Sequence, residues 1–106
     1  MPKYLIQASY VPEGLKGLLK EGGTSRRTAV EKATKSVGGT LETFYYAFGE
    51  DDVCAIAELP DNTAAAALAL TINATGLVAL KTTVLLTPEE VDAAVKKTPK
   101  YRAPGQ

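Results

Sequence analysis

Two β-rich runs, Thr40–Phe48 and Val53–Leu59, flank the acidic sequence Gly49-Glu50-Asp51-Asp52. This is the stretch that most limits what the chain can become. Glycine takes positive φ without a steric cost, and Asp side chains bond nearby backbone N–H groups, so the four residues read as a turn. The runs on either side are then forced into an antiparallel hairpin. Gly38-Gly39 sets off its first strand and Pro60 stops its second. Everything else must be laid around this pair.

The chain before and after it alternates between strand and helix patterns. From Lys3 to Tyr10, Tyr4, Ile6, Ala8 and Tyr10 share one face and Lys3, Leu5, Gln7 and Ser9 the other, which predicts a first strand. Pro12 suits the first turn of a helix, where a missing N–H costs nothing. A short helix over Glu13–Leu19 is expected, with Leu15, Leu18 and Leu19 inward. After Gly22-Gly23, Thr24 or Ser25 can cap a second helix running to about Val37. Its inward stripe is Ala29, Val30, Ala33 and Val37, Glu31 and Lys35 form an i, i+4 pair, and Gly38-Gly39 supplies the C-cap. Asp61 caps a helix from Thr63 to about Ala74, whose six alanines, Leu68, Leu70 and Ile72 predict deep burial. Leu77–Leu86 is a fourth strand. Thr87-Pro88-Glu89-Glu90 starts a short last helix over Val91–Lys97.

The order β-α-β-β-α-β with a C-terminal helix is the ferredoxin-like α+β pattern: an antiparallel sheet with helices on one face. One domain over residues 1–97 and an irregular tail over 98–106 are expected, the tail placed to lie on a neighbouring subunit. Two helices cover only one sheet face. Whichever register holds, the other carries either Leu5 or Tyr4, Ile6 and Ala8 from the first strand. It also carries either Tyr45 or Phe44, Tyr46 and Phe48 from the second. An exposed apolar face of that size marks an interface, and a second copy of the same face is its simplest cover. A homodimer or higher homo-oligomer is therefore predicted, with the sheets packed together and a ligand cavity, lined by aromatics and a few polar groups, left by that packing.

Composition removes several functions. The 106 residues carry 12 Lys and Arg against 12 Asp and Glu, so no net positive charge draws the chain to nucleic acid. No apolar run approaches the roughly 20 residues of a membrane helix. The chain has no His, the commonest metal ligand and neutral-pH base, and a single cysteine, Cys54. Ser–His and Cys–His nucleophile pairs are impossible, no metal site or cofactor is expected, and one cysteine fits a reducing, cytoplasmic setting. Cys54 itself reads as a small buried hydrophobe.

The run Phe44-Tyr45-Tyr46-Ala47-Phe48-Gly49-Glu50-Asp51-Asp52-Val53 resembles the signature of the GYD-domain family, in which a strand, Gly-x-Tyr-Asp and a hydrophobic strand follow in order. Tyr10-Val11-Pro12-Glu13-Gly14-Leu15 and Gly38-Gly39 support the likeness, which covers about Pro2 to Glu90. Gly49 and Asp52 match the signature. Asp51 stands where the family has Tyr, so no role of that Tyr carries over. The family is similar to dimeric α/β-barrel proteins, a group that includes small monooxygenases, lactone isomerases and effector-binding modules. The resemblance implies a ferredoxin-like fold and a dimeric barrel, with function by analogy only.

Gly49 and Asp52 read as structural turn residues first. The candidate pocket residues are Tyr10, Tyr45, Tyr46, Lys81 and Arg26. A tyrosine hydroxyl in a cavity orients a carbonyl or phenolic group, and Arg26 near a helix start meets a carboxylate or phosphate. Each has a plainer reading as core aromatic or solvated charge. The leading functional expectation is a small-molecule-binding dimeric barrel, of the cofactor-independent monooxygenase or isomerase kind. The alternative is a non-catalytic effector-binding or interaction module assembling through its sheet face.

Overall fold

The computed structural model describes all 106 residues. Its elements follow as β1 (Lys3–Tyr10), α1 (Pro12–Glu21), α2 (Gly23–Ser36), β2 (Thr40–Tyr46), β3 (Val53–Glu58), α3 (Asn62–Ala74), β4 (Val78–Leu85) and α4 (Pro88–Val95). The four strands form one sheet in the order β2-β3-β1-β4, and every neighbouring pair is antiparallel. This is the ferredoxin-like arrangement that the β-α-β-β-α-β order predicts. No helix is long and apolar enough to cross a membrane.

The alternation in β1 settles which face is the core. Tyr4, Ile6 and Ala8 are buried together with Val53, Ala55 and Ala57 of β3, and Ala65 and Leu68 of α3 press on them. Ala33 of α2, Val37 just after it, and Phe44 and Tyr46 of β2 pack at the margin. The Tyr4 hydroxyl donates to Asn62 Oδ1 at 2.6 Å, so the one polar atom of this core tyrosine is satisfied at the start of α3. The register pairs Leu5 with Ile56, and Tyr45 and Gln7 with Cys54, so these residues share the opposite face, which no helix covers.

The ends of the helices explain their boundaries. After α2, Gly38 takes φ 85°, its N–H donates to the Lys35 carbonyl and that of Gly39 to the Thr34 carbonyl. This is the Schellman arrangement, which a left-handed glycine permits. Asp61 caps α3 by accepting from the Ala64 N–H at 2.8 Å. Thr87 and Glu90 form a reciprocal capping box at α4.

Several local expectations fail, each for a physical reason. α1 is longer than expected and lies at the end of the sheet, where it rests on Gly14, which is buried and where a Cβ would collide with the Leu77 carbonyl. Leu19 consequently points away from the sheet and is 86% exposed. Leu15 is exposed as well, and only Leu18 turns partly inward. α2 starts two or three residues earlier than Thr24 or Ser25 implied, with Gly22 as N-cap and no side-chain cap. The ion pair on α2 is Arg27–Glu31 at 3.4 Å rather than Glu31–Lys35. α3 buries one side only, and Leu70 on its outer side is 71% exposed. β2 ends at Tyr46, and Ala47–Asp52 is a six-residue connection in which Phe48, not Gly49, takes the left-handed backbone, at φ 53°. Cys54 lies on the uncovered face and is only partly buried.

The C-terminal part stands apart. No residue of α4 is buried, and residues 96–106 carry no helix or strand. The chain measures 56 × 33 × 22 Å with a radius of gyration of 16.9 Å, against about 13 Å for a compact chain of this length.

Candidate functional site

Sheet and helices do not meet everywhere. The sheet floor is laid by Ile6, Ala8, Val53 and Ala55, with Phe44 on one side and Val78 and Leu80 on the other. Ala29, Val30 and Ala33 of α2 form one wall, and Leu68 and Ile72 of α3 the other. Between them is an apolar cavity of about 110 Å³. The gap follows from side-chain size. α2 offers two alanines where it faces the sheet, and methyl groups do not span the distance to α3.

One end of this cavity is polar. Of its 14 lining residues, 13 are hydrophobic, and the exception is Arg26 in the second turn of α2. Tyr10, Arg26, Ile72 and Val78 also line a second, more open space of about 260 Å³, whose other walls include Glu13, Gly17 and Glu21 of α1 and Thr75 after α3. The two spaces form an apolar chamber and a polar vestibule, with Tyr10 and Arg26 on the boundary. Tyr46 stands close by. Its hydroxyl donates to the Gly23 carbonyl at 3.1 Å, and its ring meets Phe44 edge-on at 5.3 Å and stacks on Phe48 at 5.7 Å. Gly23 has to be small here, since a Cβ would come within 3.0 Å of the Tyr46 ring.

Electrostatics at this end favour hydrogen-bond donation. Burial, with the Tyr10 phenol beside it, pushes the Tyr46 phenol up to about 12, against an opposing pull from Arg26 and Arg27. Tyr46 is therefore a neutral donor at physiological pH and not a base. Arg26 meets only one carboxylate, Glu21, at 3.4 Å. Glu21 is half-exposed, so solvent screens the pair and most guanidinium donors are left for other acceptors.

The sequence candidates divide between the two faces of the sheet. Tyr10 and Arg26 come together at the chamber mouth, and Tyr46 stands beside them, lining a separate cleft with Gly23, Thr24, Arg27 and Phe44. Tyr45 and Lys81 lie on the uncovered face, in one row running Tyr45, Cys54, Gln7, Lys81 across all four strands. At a strand spacing of about 4.8 Å they stand roughly 14 Å apart. Lys81 Nζ meets Asp51 Oδ2 at 3.2 Å, and Asp51 Oδ1 accepts from the Ser9 hydroxyl at 3.1 Å. Asp52 ties strands together: its Oδ2 accepts from the Tyr10 N–H at 2.8 Å and its own N–H donates to the Ala8 carbonyl at 2.8 Å. Gly49 has open space around it and no positive φ. Glu13 and Glu21 of the vestibule were absent from the sequence candidates, and no spacing in the chain singles them out.

At one end of the uncovered face, a bulge between Leu41 and Thr43 turns Glu42 toward Lys3, at 2.8 Å, with Glu58 at 3.8 Å from the same ammonium. The bond to Glu42 raises the Lys3 pKa and lowers that of Glu42. These groups are solvated and hold the sheet edge together, far from the chamber. No cluster of three or more Cys, Asp or Glu is placed to hold a metal ion.

No curated protein and no solved structure matches the chain. A family model does: the GYD domain model matches residues 4–95, from the start of β1 to the end of α4, which takes in the chamber, the vestibule and the uncovered face. The chain belongs to the GYD-domain family.

Proposed function

We propose that this protein is a small-molecule-binding subunit of a homodimer. The observation that carries the binding half is the apolar chamber between α2, α3 and the sheet, which has one polar end. Ligand sites are concave, mostly apolar and oriented by a few polar groups, and this chamber has that make-up. The chemistry within reach is polarisation of a carbonyl or phenolic oxygen by Tyr10 and Arg26. A cofactor-independent isomerase or monooxygenase would rely on the same step. Glu13 and Glu21 are the carboxylates near enough to serve as bases from the vestibule.

The dimer half rests on surface. The chain exposes 7323 Å² and buries only 12 of its 106 residues. A folded monomer of 11.2 kDa exposes about 5,700 Å², so some 1,600 Å² is in excess. Burying that amount on each of two copies gives an interface of obligate-dimer size. The uncovered sheet face offers Leu5, Ile56, Leu85 and the 68% exposed Tyr45. The arm offers Val91 and Val95 on an eight-residue helix, too short to stand alone in water. The same exposed surfaces favour a second reading, a non-catalytic interaction module.

Native mass spectrometry of freshly purified protein tests the proposal. A dimer that retains a small organic molecule, lost on mild activation, is the expected result. A monomer at micromolar concentration would overturn the dimer. A dimer that neither retains nor takes up any small molecule would leave the interaction module standing in place of the binding role.

A further inference from the structure

We propose that the chamber takes an apolar monocarboxylate, with its hydrocarbon body between α2 and α3 and its carboxylate on Arg26 at the chamber mouth. This rests on the binding role above and adds the chemical class of the ligand.

Three observations carry it. The first is size. A chamber of about 110 Å³ is somewhat smaller than the ~150 Å³ apolar cavity that accepts benzene, so the body is a short branched chain or at most one ring. The second is the placement of charge. Arg26 is the only charged residue that lines the chamber itself, and it also lines the vestibule. A ligand that fills the chamber presents its head at that boundary and meets the guanidinium there. Glu13 and Glu21 line only the vestibule, and both already have cationic partners: Glu13 meets Lys16 at 3.1 Å and Glu21 meets Arg26 at 3.4 Å. The third is the state of the guanidinium. Its contact with Glu21 is long, made through a single nitrogen and open to water, so a carboxylate arriving from the chamber side replaces a weak bond with a planar, two-pronged one. The two glutamates set the upper limit on ligand charge. A phosphate or a dicarboxylate would bring a second negative charge into a vestibule where Glu21, displaced from Arg26, and Glu13, paired only with the exposed Lys16, already stand.

Three probes with one isobutyl body and different heads test this: isovalerate, isoamyl alcohol and isoamylamine, titrated at fixed ionic strength into full-length protein and followed by amide chemical shifts. Isovalerate is expected to bind about tenfold more tightly than the alcohol, the usual effect of a charged hydrogen-bonding head. In Arg26→Gln isovalerate loses most of its advantage, so that the gap to the alcohol closes. In Ala33→Leu, where the chamber is filled, all three lose binding. The inference is overturned if the alcohol or the amine binds as tightly as isovalerate, or if Arg26→Gln leaves the gap in place. It is also overturned if Ala33→Leu binds isovalerate as well as the parent does, since the probe then sits elsewhere. If none of the three binds at millimolar concentration, the chamber is not a ligand site, and the binding role falls with the inference.

Discussion

Filling the chamber should stabilise the protein. Ala33 sits on α2 at the chamber wall, and Leu68 and Phe44 line the same space. Ala33→Leu adds three carbons. Each takes up about as much room as a water molecule, on the order of 30 Å³, so the side chain fits a space of about 110 Å³ without displacing its neighbours. At about 0.8 kcal/mol per buried methylene the gain is ~2.4 kcal/mol. Ordering the leucine side chain costs about 0.5–1 kcal/mol of that, and leucine keeps the helix propensity of the position close to alanine's. The net expectation is about 1.5 kcal/mol of added stability, or ~6–12 °C in Tm for a chain of about this length. Urea and thermal unfolding, each with a check for two-state behaviour, measure it. The sign is what matters. In a core already packed to normal density the same substitution costs about 1–3 kcal/mol through strain. A midpoint that falls, or does not move, would refute the chamber.

Three other perturbations probe different parts of the molecule. The Tyr46 phenol is raised from 10.0 to about 12 in the folded chain, so its contribution to stability is complete below pH 10 and is lost as pH rises through 12. Ultraviolet titration should show the late phenol, and Tyr46→Phe should flatten the alkaline arm of the stability profile. Asp52→Ala removes the acceptor of the Tyr10 N–H and should cost about 1.5–3 kcal/mol in urea unfolding. Asp52→Asn keeps an acceptor oxygen and should cost less than half as much; equal losses would assign Asp52 a role beyond that bond. Truncation after Leu86 removes α4 and the tail, none of whose residues is buried. Domain stability should hold at low concentration while sedimentation shows a dimer weakened tenfold or more. An unchanged dimer would show that the arm takes no part in assembly.

Strand periods were the most legible part of the chain. β1 starts and ends where its alternation does, and Asp61, Thr87-Pro88 and Gly38-Gly39 mark their helix ends through local hydrogen bonds that need no partner far away in sequence. Alternation alone leaves two faces equivalent. Tyr4 and Leu5 are both apolar enough to face inward, and the choice falls to tertiary packing: Tyr4 has Asn62 to bond and α3 to lie under. The same ambiguity explains how the candidate residues split. Tyr45 and Tyr46 are neighbours in the chain, so the strand sends them to opposite faces, and no single pocket holds both. The chamber itself was beyond a local reading. It is a difference between the span of two helices and the volume of Ala29, Ala33 and Leu68, set by residues far apart in sequence. The exposed side of α3 has a related origin. Alanine and leucine all round suggest burial, but a two-helix layer over four strands has only one side to offer, and Leu70 lies beyond it.

The most direct measurement is a crystal structure of the protein under xenon pressure. Apolar cavities that stay dry bind xenon without any contribution from a polar head, so the experiment tests the chamber independently of the ligand's chemistry. The account predicts a xenon site between α2 and α3, in contact with Ala33, Leu68 and Phe44, or the density of a retained ligand in its place. Side chains of α2 and α3 closed over the sheet, with no xenon between them, would contradict it.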